Sequence, residues 1–512
     1  MKAALRQAKT MTLILIALAL VLTACGSGSQ PAPETSSESQ TTTAEGNNAL
    51  EPYEIVMAFP ARSEPKDLQL VQEEISKITK EKINATVKLL AINYGAWQQQ
   101  TMLMLSGNEK LDIMIGGGAT YSQDVAKGNF LAIDDLLAKY GQDAVNALAE
   151  QDPKFIEAAR IQGALYGVPM IKDLADEYGF TIRKDLVEKY NIDLSSVKSF
   201  DDLDPILQTL KDNEPDIWPM TRYGGSVIDT ISPAYMDPLG DGFGVLPNHD
   251  NGLKVVNWFE TPEYEQLLKM VRRWYEAGYL HKDIATTTEY AASMVRAGKA
   301  ASFIQHMKPG IAEQETRSTG KEMVSVALKP AVSTTGKIQR YVWTIPNTAR
   351  NPERSMMFIN LLYTDKDIMN LLAWGVEGKH YVIAEGNVID FPQGVDATNT
   401  GYGINQGYMF GNQFLTYVWK GTDPTIYEQL AKFNQGAIKS KALGFTFNAD
   451  NVKTEVAAVT NVQKQYKVAL ETGTVDPATQ LPEFITQLKA AGIDKIIAEK
   501  QRQLDEWAKQ QQ

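Results

Sequence analysis

The run YEIVMAF (53–59) has strand length, and in LQLVQEEISKITKEK (68–82), which follows it, apolar residues recur at three- and four-residue steps. ATVKLL (85–90) and LDIMIGG (111–117) are two further strand-like runs. This order of strand, helix and strand predicts α/β units with a mainly parallel sheet. Ligands of such sheets lie beyond the carboxyl ends of the strands, so the loops after each run are the first places to search for a site.

The composition indicates a globular protein without nucleic-acid or metal chemistry. The chain has 512 residues, of which 44% are hydrophobic and 22% are charged, and this length allows two or three domains with buried cores. Its 50 Lys and Arg residues stand against 62 Asp and Glu residues, a balance that argues against binding to a phosphate backbone. Four His and one Cys leave little material for a zinc site or a disulfide framework, so we expect no metal and no cofactor.

The first 24 residues have the layout of a bacterial secretory signal. Basic residues precede the apolar run MTLILIALALVLTA (11–24), which at about 21 Å is shorter than the ~30 Å bilayer core. The next feature, LTAC (22–25), resembles the lipobox of bacterial lipoproteins, in which the cysteine is lipidated and becomes the first mature residue. We therefore expect a signal peptide at 1–24 and lipid attachment at Cys25. A short membrane anchor, or an ordinary signal with an incidental cysteine, are the alternatives.

The residues after Cys25 predict a disordered tether. Residues 25–52 are rich in Ser, Thr, Pro and Glu and contain almost no large apolar side chain, so they cannot bury a core. A flexible coil of this length spans on the order of 30 Å. The globular body is therefore expected to begin near Tyr53.

Segments of the body follow one another in the order of a known family. They are LDIMIGGGATYSQDVAKGNFLAIDDLLAKYG (111–141), GALYGVPM (163–170), GFTIRKDLVEKYNID (179–193), MVRAGKAASFIQH (294–306) and WTIPNTARNPERSMMFINLLYTDKD (343–367). Together they resemble the family 1 extracellular solute-binding proteins of ABC importers, the maltose-binding-protein-like group. WGVEGKHYVI (374–383) and GIDKIIAEKQRQLDEW (492–507) resemble the larger LplA/LipO-like lipoproteins of Gram-positive bacteria. Asn191 stands where the family has Gly, and Asn also tolerates a left-handed backbone.

The resemblance implies an α/β, two-lobed periplasmic-binding-protein-like fold (type II) with a hinged cleft between the lobes. The implied boundaries are 53–172 plus 331–378 for the first lobe, 173–330 plus 379–450 for the second, and 451–512 for C-terminal helices that pack on the lobes. Chain crossings are expected near 169–175, 329–341 and 375–382. A ligand that contacts both lobes would favour the closed state over the open one.

The resemblance further implies a monomeric receptor at the outer face of a Gram-positive cell membrane. It would capture a small-molecule solute, an oligosaccharide, and deliver it to ABC permease subunits. Eight Trp and 21 Tyr supply rings for stacking on sugars. The sequence contains no GxSxG, HExxH or CxxC motif, so it gives no sign of an enzyme of those classes. Two alternatives remain open. One is a secreted lipoprotein that hydrolyses polysaccharide, since two facing carboxylates cannot be read from sequence. The other is a peptide receptor on the same fold.

The loop NEPDIWPMTRYGG (213–225) carries the first candidate ligand contacts, because loops supply binding residues more often than regular elements do. Trp218 is expected either to stack on a ligand ring or to pack inside its lobe. Arg222 and Tyr223 are further candidates in the same loop. Trp97, on the predicted helix after the second strand, has the same two alternatives as Trp218.

Two other candidate groups follow predicted strands of the first lobe. Phe59 and Arg62 belong to the loop after the first strand, where exposure to the cleft is expected. The glycines at 116–118 lack a GxGxxG pattern and a following Lys-Ser/Thr pair, so they indicate a tight turn and not a nucleotide site. Gly117 and Thr120 are still candidates, because such a turn can present backbone N–H groups to a polar ligand.

The last candidates lie near the expected third crossing and in the loop beyond it. Glu377 and His380 are expected either to bind the ligand or to fix the hinge. Tyr402 and Tyr408 lie in the glycine-rich segment TGYGINQGYMFGN (400–412), which either forms part of the cleft wall or packs as an irregular loop.

Overall fold

The computed structural model describes residues 50–511, which form one compact unit. The predicted signal peptide, Cys25 and nearly all of the predicted tether lie outside the described residues. No helix in the described part of the chain is both long and apolar enough to cross a membrane. The globular body begins where the sequence predicts it, with a strand that starts at Tyr53.

Strands and helices alternate through most of the described body. The strands are β1 (Tyr53–Ala61), β2 (Ala85–Asn93), β3 (Ile113–Gly116), β4 (Arg160–Ile161), β5 (Ala164–Leu165), β6 (Gly167–Pro169), β7 (Asp176–Arg183), β8 (Met236–Asp237), β9 (Leu246–Pro247), β10 (Ser302–Met307), β11 (Met323–Ser333), β12 (Val342–Thr344), β13 (Val382–Glu385), β14 (Val388–Asp390), β15 (Val418–Trp419) and β16 (Ile438–Lys439). The helices are α1 (Leu68–Ile83), α2 (Trp97–Ser106), α3 (Tyr121–Ala126), α4 (Asp134–Tyr140), α5 (Gln142–Ala149), α6 (Lys154–Glu157), α7 (Lys184–Lys189), α8 (Asp204–Asn213), α9 (Val227–Ile231), α10 (Pro262–Glu276), α11 (Ala291–Arg296), α12 (Ile311–Thr319), α13 (Thr335–Ile338), α14 (Pro352–Thr364), α15 (Lys366–Trp374), α16 (Ile426–Gly436), α17 (Lys453–Glu471), α18 (Pro477–Ala490) and α19 (Ile493–Gln510).

The first lobe is built on a five-stranded sheet with the order β2-β1-β3-β12-β6. β1 pairs in parallel with β2 and with β3, which confirms the parallel strand–helix–strand units predicted for this part of the chain. Both faces of β1 are buried, because Ile55, Met57 and Phe59 belong to one hydrophobic core and Val56 to another. A strand that is buried on both faces has a continuous apolar sequence, and β1 has such a sequence.

The second lobe is built on a four-stranded sheet with the order β10-β7-β11-β16. β7 pairs antiparallel with β10 and with β11, and β11 pairs in parallel with β16. The two α/β lobes are as predicted, but the strands of this sheet are mainly antiparallel instead of mainly parallel. Asn191, after α7, has a φ of 51°, the left-handed conformation expected for it.

The crossings between the lobes determine these strand directions. β6 leads out of the first lobe and β7 enters the second, so 170–175 is the first crossing, and β11 leads back through 334–341 to β12. A strand that begins at a crossing runs away from the cleft, whereas a strand that ends at a crossing runs toward it. β12 is accordingly antiparallel to β3 and β6, and β11 to β7. The cleft side of the lobes is therefore where β1, β2, β3, β10 and β11 end and where β7 and β12 begin.

The third passage between the lobes lies later in the chain than predicted. The sequence places it near 375–382, but Tyr402, Met409 and Phe410 still pack in the core of the first lobe. The chain joins the second sheet only at β16. The assignment of 379–450 to the second lobe is therefore wrong for this part, because the residues before α16 form an excursion with its own small sheet, β13-β14-β15.

The C-terminal helices complete the core of the second lobe. Phe484 of α18 and Ile496 and Leu504 of α19 are fully buried there, among the side chains of α8 and α10. The sequence predicts helices at 451–512 that pack on the lobes. In the structure, α17, α18 and α19 pack on one of them.

Polar side chains of α1 cover the outer edge of the first sheet. Gln72 Oε1 accepts from the Leu89 N–H at 2.8 Å, Ser76 Oγ accepts from the Val87 N–H at 3.0 Å, and Thr79 Oγ1 donates to the Ala85 carbonyl at 2.7 Å. These three side chains lie three or four positions apart and therefore share one face of the helix. The helix thus pairs backbone groups of β2 that the neighbouring strand does not reach.

Buried ions join the first two crossings. We call Lys172, Asp173, Asp176 and Lys337 the crossing cluster. Lys337 Nζ lies 2.7 Å from Asp173 Oδ2 and 2.6 Å from Asp176 Oδ1, and Lys172 Nζ lies 3.3 Å from Asp173 Oδ1. Burial lowers the pKa of Lys172 to about 7. Burial alone would raise the pKa of Asp173, but the neighbouring lysines hold it well below its usual range.

An asparagine of α16 fixes the backbone of the first crossing. Asn434 is fully buried, accepts from the Leu174 N–H at 2.7 Å and donates to the Lys172 carbonyl at 2.7 Å. Ser333, at the end of β11, donates to the Leu174 carbonyl at 2.7 Å. The first crossing is therefore held by the second crossing and by the segment that makes the third passage.

We expect Lys337→Met to lower the free energy of unfolding by about 3 kcal/mol, because it leaves Asp173 and Asp176 without their nearest cation in buried surroundings. Lys308→Met is the matched control. The Lys308 ammonium is 3.4 Å from Asp173 and its side chain is 24% exposed, so the expected loss is below about 1 kcal/mol. Urea denaturation at pH 7 measures both variants, and equal losses would contradict the role given to Lys337.

Candidate ligand-binding cleft

Strand ends of both lobes place polar side chains on the cleft side. Arg62 follows β1, and Tyr94 follows β2. Gly117 follows β3, and Tyr341 precedes β12. From the second lobe, Glu177 lies at the start of β7. Because α/β proteins hold their ligands beyond the carboxyl ends of strands, this region is the candidate site.

Three tyrosines of the first lobe form an aromatic surface that we call the tyrosine wall: Tyr94, Tyr341 and Tyr408. The rings of Tyr341 and Tyr408 are 5.8 Å apart, and the hydroxyls of Tyr94 and Tyr408 adjoin each other. The buried side chain of Gln406 donates from its amide N–H to the Tyr94 hydroxyl, while its Oε1 has no hydrogen-bond partner in residues 50–511. Tyr94 is 44% exposed. The wall thus combines accessible ring surface with polar atoms.

Tyr223 is the aromatic side chain that the second lobe presents near the cleft. Its ring stacks on Phe303 at 5.8 Å and meets His306 edge-on at 5.6 Å. Thr221 pairs with Phe303 in a parallel bridge, so the segment 218–223 runs beside β10 in the same direction. β10 ends on the cleft side, and Tyr223 is therefore at the cleft end of this segment.

Arg340, in the second crossing, lies between the aromatic groups of the two lobes. Its guanidinium carbon is 5.9 Å from the centre of the Tyr341 ring. Burial raises the pKa of Tyr178, Tyr223 and Tyr408, that of Tyr223 to about 12, and the positive charge of Arg340 partly offsets the rise at each. Tyr178 and Tyr223 belong to the second lobe and Tyr408 to the first. The charge of Arg340 therefore acts on tyrosines of both lobes.

Two carboxylates of the second lobe are poorly compensated. Burial raises the pKa of Glu177, and no neighbouring group offsets the rise. Burial also raises the pKa of Glu315, which adjoins Tyr223 and is 3% exposed, and only Gln314 and Lys308 partly offset this rise. A carboxylate with unused lone pairs accepts hydrogen bonds from the hydroxyls of a neutral ligand.

Two predicted ligand contacts are buried in the core of the first lobe. Phe59 is fully buried and packs edge-on against Phe410 at 5.0 Å. Tyr402 is 3% exposed, and its hydroxyl donates to the Leu372 carbonyl at 2.9 Å. Both predictions are wrong. Phe59 lies on the same strand face as Met57, which points into the core, and Tyr402 packs its ring down as the alternative for that loop states.

His380 and Glu377 do not lie at a crossing. His380 is 2% exposed, its Nδ1 accepts from the Val376 N–H at 2.8 Å and its Nε2 lies 3.0 Å from Asp67. Hydrogen bonds from His380 and Lys379 hold the pKa of Asp67 below its usual range. Glu377 is exposed. His380 therefore ties the excursion to the start of α1, and its expected role in a hinge is wrong.

Both tryptophans among the candidates are half-buried. Trp218 pairs with Ala300 before β10 begins, at the end of the strand far from the cleft, and its ring is 6.1 Å from that of His281. Trp97 packs against both hydrophobic cores of the first lobe. These positions favour the packing alternative for each.

The turn after β3 contacts the second crossing. Gly117 has a φ of 114°, and a Cβ atom there would lie 2.5 Å from the Gln339 carbonyl oxygen. The Gly118 N–H donates to the same oxygen at 2.9 Å. Thr120 is half-buried in the turn that follows. Gly117 therefore allows the crossing to approach closely, and at least one N–H of this turn is already used.

The two candidate arginines differ in their surroundings. The Arg222 guanidinium donates to the carbonyl oxygens of Gly225 and Thr287, so it braces the loop that carries Tyr223. Arg62 is exposed beside Tyr94. Arg62 is thus available to a ligand, whereas Arg222 already has partners.

Sequence reasoning misses Tyr94, Arg340, Tyr341 and Gln406. Tyr94 follows the second strand as Arg62 follows the first, so the rule that selects Arg62 also selects Tyr94. Arg340 and Tyr341 lie within the predicted second crossing. Gln406 has no such signal, because its contact with Tyr94 joins segments far apart in the chain. Within residues 50–511, no group of three or more His, Cys, Asp or Glu side chains could hold a metal ion.

Two family models match the chain. The model described as bacterial extracellular solute-binding protein matches residues 62–369. A second model, described only as a domain of unknown function (DUF3502), matches residues 441–509. The first match covers the candidate cleft apart from the segment that carries Gln406 and Tyr408.

Known proteins resemble this chain over most of its length. A carbohydrate ABC transporter substrate-binding protein of Streptococcus pneumoniae is 30% identical over 474 residues, which cover 89% of this chain and 91% of that protein. Lipoprotein LipO of Bacillus subtilis is 25% identical and covers 55% of this chain and 60% of its own length. The structure of the N-glycan transport solute-binding protein NgtS from Streptococcus pneumoniae has a TM-score of 0.81 at 28% identity, covering 90% of this chain and 100% of that one. The NgtS complex with Man5GlcNAc has a TM-score of 0.68.

We expect the buried imidazole of His306 to make the protein sensitive to acid. Burial lowers the pKa of His306 to about 4, whereas an unfolded histidine titrates near 6.5. The unfolded chain therefore binds the proton first, and this contribution to stability is present above about pH 6.5 and is lost as the pH falls toward 4. Between pH 7 and pH 5 the expected loss is about 2 kcal/mol.

His306→Gln removes this titration while keeping a polar side chain. Urea denaturation of the variant at pH 7 and pH 5 is expected to show a smaller decrease in unfolding free energy than that of the unaltered protein. Equal decreases for the two proteins would contradict a neutral, buried His306.

Proposed function

This chain belongs to the family of bacterial extracellular solute-binding proteins, and from this membership we propose that it captures an oligosaccharide between its lobes and delivers it to an ABC transporter. Members of this family bind their solute without converting it, so the chain is a binding protein and not an enzyme. Two of the relatives described above, the carbohydrate ABC transporter substrate-binding protein and NgtS, are named for carbohydrate or N-glycan transport, which supports the solute class.

The observation that carries the proposal is that both lobes place aromatic side chains on the cleft side, the tyrosine wall from the first lobe and Tyr223 from the second. The tyrosine wall offers partly exposed rings from the first lobe, and Tyr223 offers one from the second. Sugar rings present apolar C–H faces that stack on aromatic rings, and their hydroxyls pair with planar polar groups. Arg62, Glu177 and Gln406 supply such groups around the rings. These contacts come from different segments, so a ligand that touches all of them holds the two lobes together.

Closure of the lobes is the proposed capture step. The structure superposes better on NgtS than on its complex with Man5GlcNAc, with TM-scores of 0.81 and 0.68. A difference of this kind supports an arrangement of the lobes that is nearer the uncomplexed protein. A ligand shifts such an equilibrium only as far as its affinities for the two states differ, so the contacts from the second lobe are the ones that drive closure.

The proposed location is the outer face of a Gram-positive cell membrane, with a lipid anchor at Cys25. Family membership places the protein outside the cell. The lipobox-like LTAC (22–25) supports the anchor, and the resemblance to LipO supports a Gram-positive source. The permease subunits of the transporter are the proposed partners, and the receptor is proposed to act as a monomer.

We expect fragments of N-glycans such as Man5GlcNAc to raise the melting temperature of the protein, because a ligand that binds the folded state stabilises it by mass action. Isothermal titration gives the affinity, and mass spectrometry of the glycan after incubation reports whether it stays intact. A rise with peptides alone would favour the peptide receptor. Release of shortened glycans would favour the hydrolase.

Tyr223→Ala is expected to weaken glycan affinity about 10- to 30-fold, because it removes most of a stacking surface worth roughly 1.5–2 kcal/mol. Trp218→Ala is the matched control, since Trp218 lies in the same loop but at the end far from the cleft. Its affinity is expected to stay within about twofold. Titration calorimetry on folded variants measures both, and a larger loss for Trp218→Ala would contradict this placement of the cleft.

Cys25→Ala is expected to release the protein from the membrane, because it removes the proposed site of lipid attachment. No helix among residues 50–511 is long and apolar enough to cross a membrane. Expression in a Gram-positive host, followed by detergent phase partition, separates the lipidated protein from the free one. The unaltered protein should enter the detergent phase and Cys25→Ala the aqueous phase. Partition of both into the aqueous phase would contradict the anchor.

A further inference from the structure

The C-terminal segment that matches the model of unknown function adjoins both parts of the proposed site. Its first residues reach the second crossing, where Thr335 Oγ1 donates to the Ala442 carbonyl at 3.1 Å and accepts from the Gly444 N–H at 2.8 Å. Gln339, next to Arg340, donates to Thr446 Oγ1 at 3.2 Å. The end of its first helix, α17, reaches the loop of the second lobe that carries Tyr223.

Glu471 makes the contact at the end of α17. It is 1% exposed, and its carboxylate accepts from the Ser226 hydroxyl at 2.6 Å and from the Tyr264 hydroxyl at 3.2 Å. Lys467 Nζ, one turn earlier, lies 3.0 Å from Glu471 and also bonds to Asp229. Both oxygens of this buried carboxylate therefore have a hydrogen-bond donor.

Ser226 is the residue through which this contact reaches the loop. It is 1% exposed and stands directly before α9, whose Asp229 N–H donates to its Oγ at 2.8 Å. α9 has five residues, too few to be stable alone, so it depends on its cap and on packing. Arg222 and Tyr223 lie just before Ser226. The segment that carries Tyr223 thus ends at a serine whose hydroxyl Glu471 holds.

We propose that the C-terminal segment positions the ligand loop of the second lobe, and that Glu471 is the positioning residue. The inference rests on the proposed function, since it takes residues 222–225 as a ligand loop. Glu471 touches no ligand. It fixes the rotamer of Ser226, which caps α9 and holds the end of the loop, while Lys467 binds α9 through Asp229. A domain whose helices complete the lobe core thereby also controls the geometry of the cleft.

A purely structural role for Glu471 makes a different prediction. If the carboxylate only stabilises the lobe core, its removal should lower the unfolding free energy and speed exchange throughout the lobe. Exchange of the loop and of β7 would then change together. If it positions the loop, the change concentrates in residues 222–230, and glycan affinity falls even where the variant is fully folded.

The experiment compares Glu471→Ala, Glu471→Gln and the control Glu483→Gln by amide hydrogen exchange and glycan titration. Glu483 of α18 accepts from the Tyr466 hydroxyl at 2.8 Å, but this contact is exposed and involves neither Ser226 nor α9. For Glu471→Ala we expect exchange at 222–230 to rise roughly five- to tenfold, the usual effect of losing a cap, with a similar loss of affinity. Glu471→Gln keeps an acceptor for Ser226 and should stay within about threefold of the unaltered protein, and Glu483→Gln should match it.

Unchanged exchange at 222–230 in Glu471→Ala, or a rise of equal size in β7, overturns the proposal. If Glu471→Ala does not fold, Ser226→Ala tests the same contact from the loop side and leaves Glu471 its bonds to Tyr264 and Lys467. It should give the same local rise, and its absence also overturns the proposal. If the unaltered protein binds no glycan, the proposed function fails, whereas the exchange measurements still decide whether Glu471 positions the loop.

Discussion

Lysines from separate segments meet one buried aspartate where the chain passes between the lobes. Asp173 lies between Lys172 and Lys337, and Lys337 also bonds to Asp176, so buried charges hold the first two crossings side by side. A buried ion pair loses its compensation when either partner moves away, which makes this arrangement resistant to local distortion. The candidate site is built around it: β7 begins at Asp176, and Arg340 follows Lys337 by three residues. The residues nearest the first two crossings are therefore fixed to one another.

The fold could be predicted from sequence where the spacing of apolar residues and the order of neighbouring elements determine the structure. The apolar runs at β1, β2 and β3 and the stripe of α1 gave the parallel units of the first lobe, and the left-handed Asn191 followed from its backbone preference. The directions of β7 and β11 could not be read this way, because they depend on which lobe the chain has just left. The third passage was misplaced for a related reason. The excursion before α16 has strands and turns of its own, and the spacing of its apolar residues does not indicate which lobe it packs against.

The site was harder to predict because its residues meet only after folding. The sequence predicts Arg62 and Tyr223 from their loops, and the structure has both on the cleft side, where they stay proposed contacts. Phe59 was taken for a loop residue, although its spacing of two from Met57 indicated the buried strand face. His380 was assigned to a crossing that lies elsewhere. No feature of the sequence indicates Gln406, since its place in the candidate site follows from a contact with Tyr94, over three hundred positions away.

The polar face of α1 has a consequence for many copies of the protein at high local concentration. A free sheet edge invites a strand from another molecule, and repeated pairing of this kind leads to polymers and fibres. Gln72, Ser76 and Thr79 already pair the N–H groups of Leu89 and Val87 and the carbonyl of Ala85, which such a strand would use. Crowded copies therefore meet an edge whose first half, residues 85–89, is already paired. The same helix that closes the first core thus also reduces the number of free backbone groups at this edge, and the exposed Lys88 adds a charge to the strand.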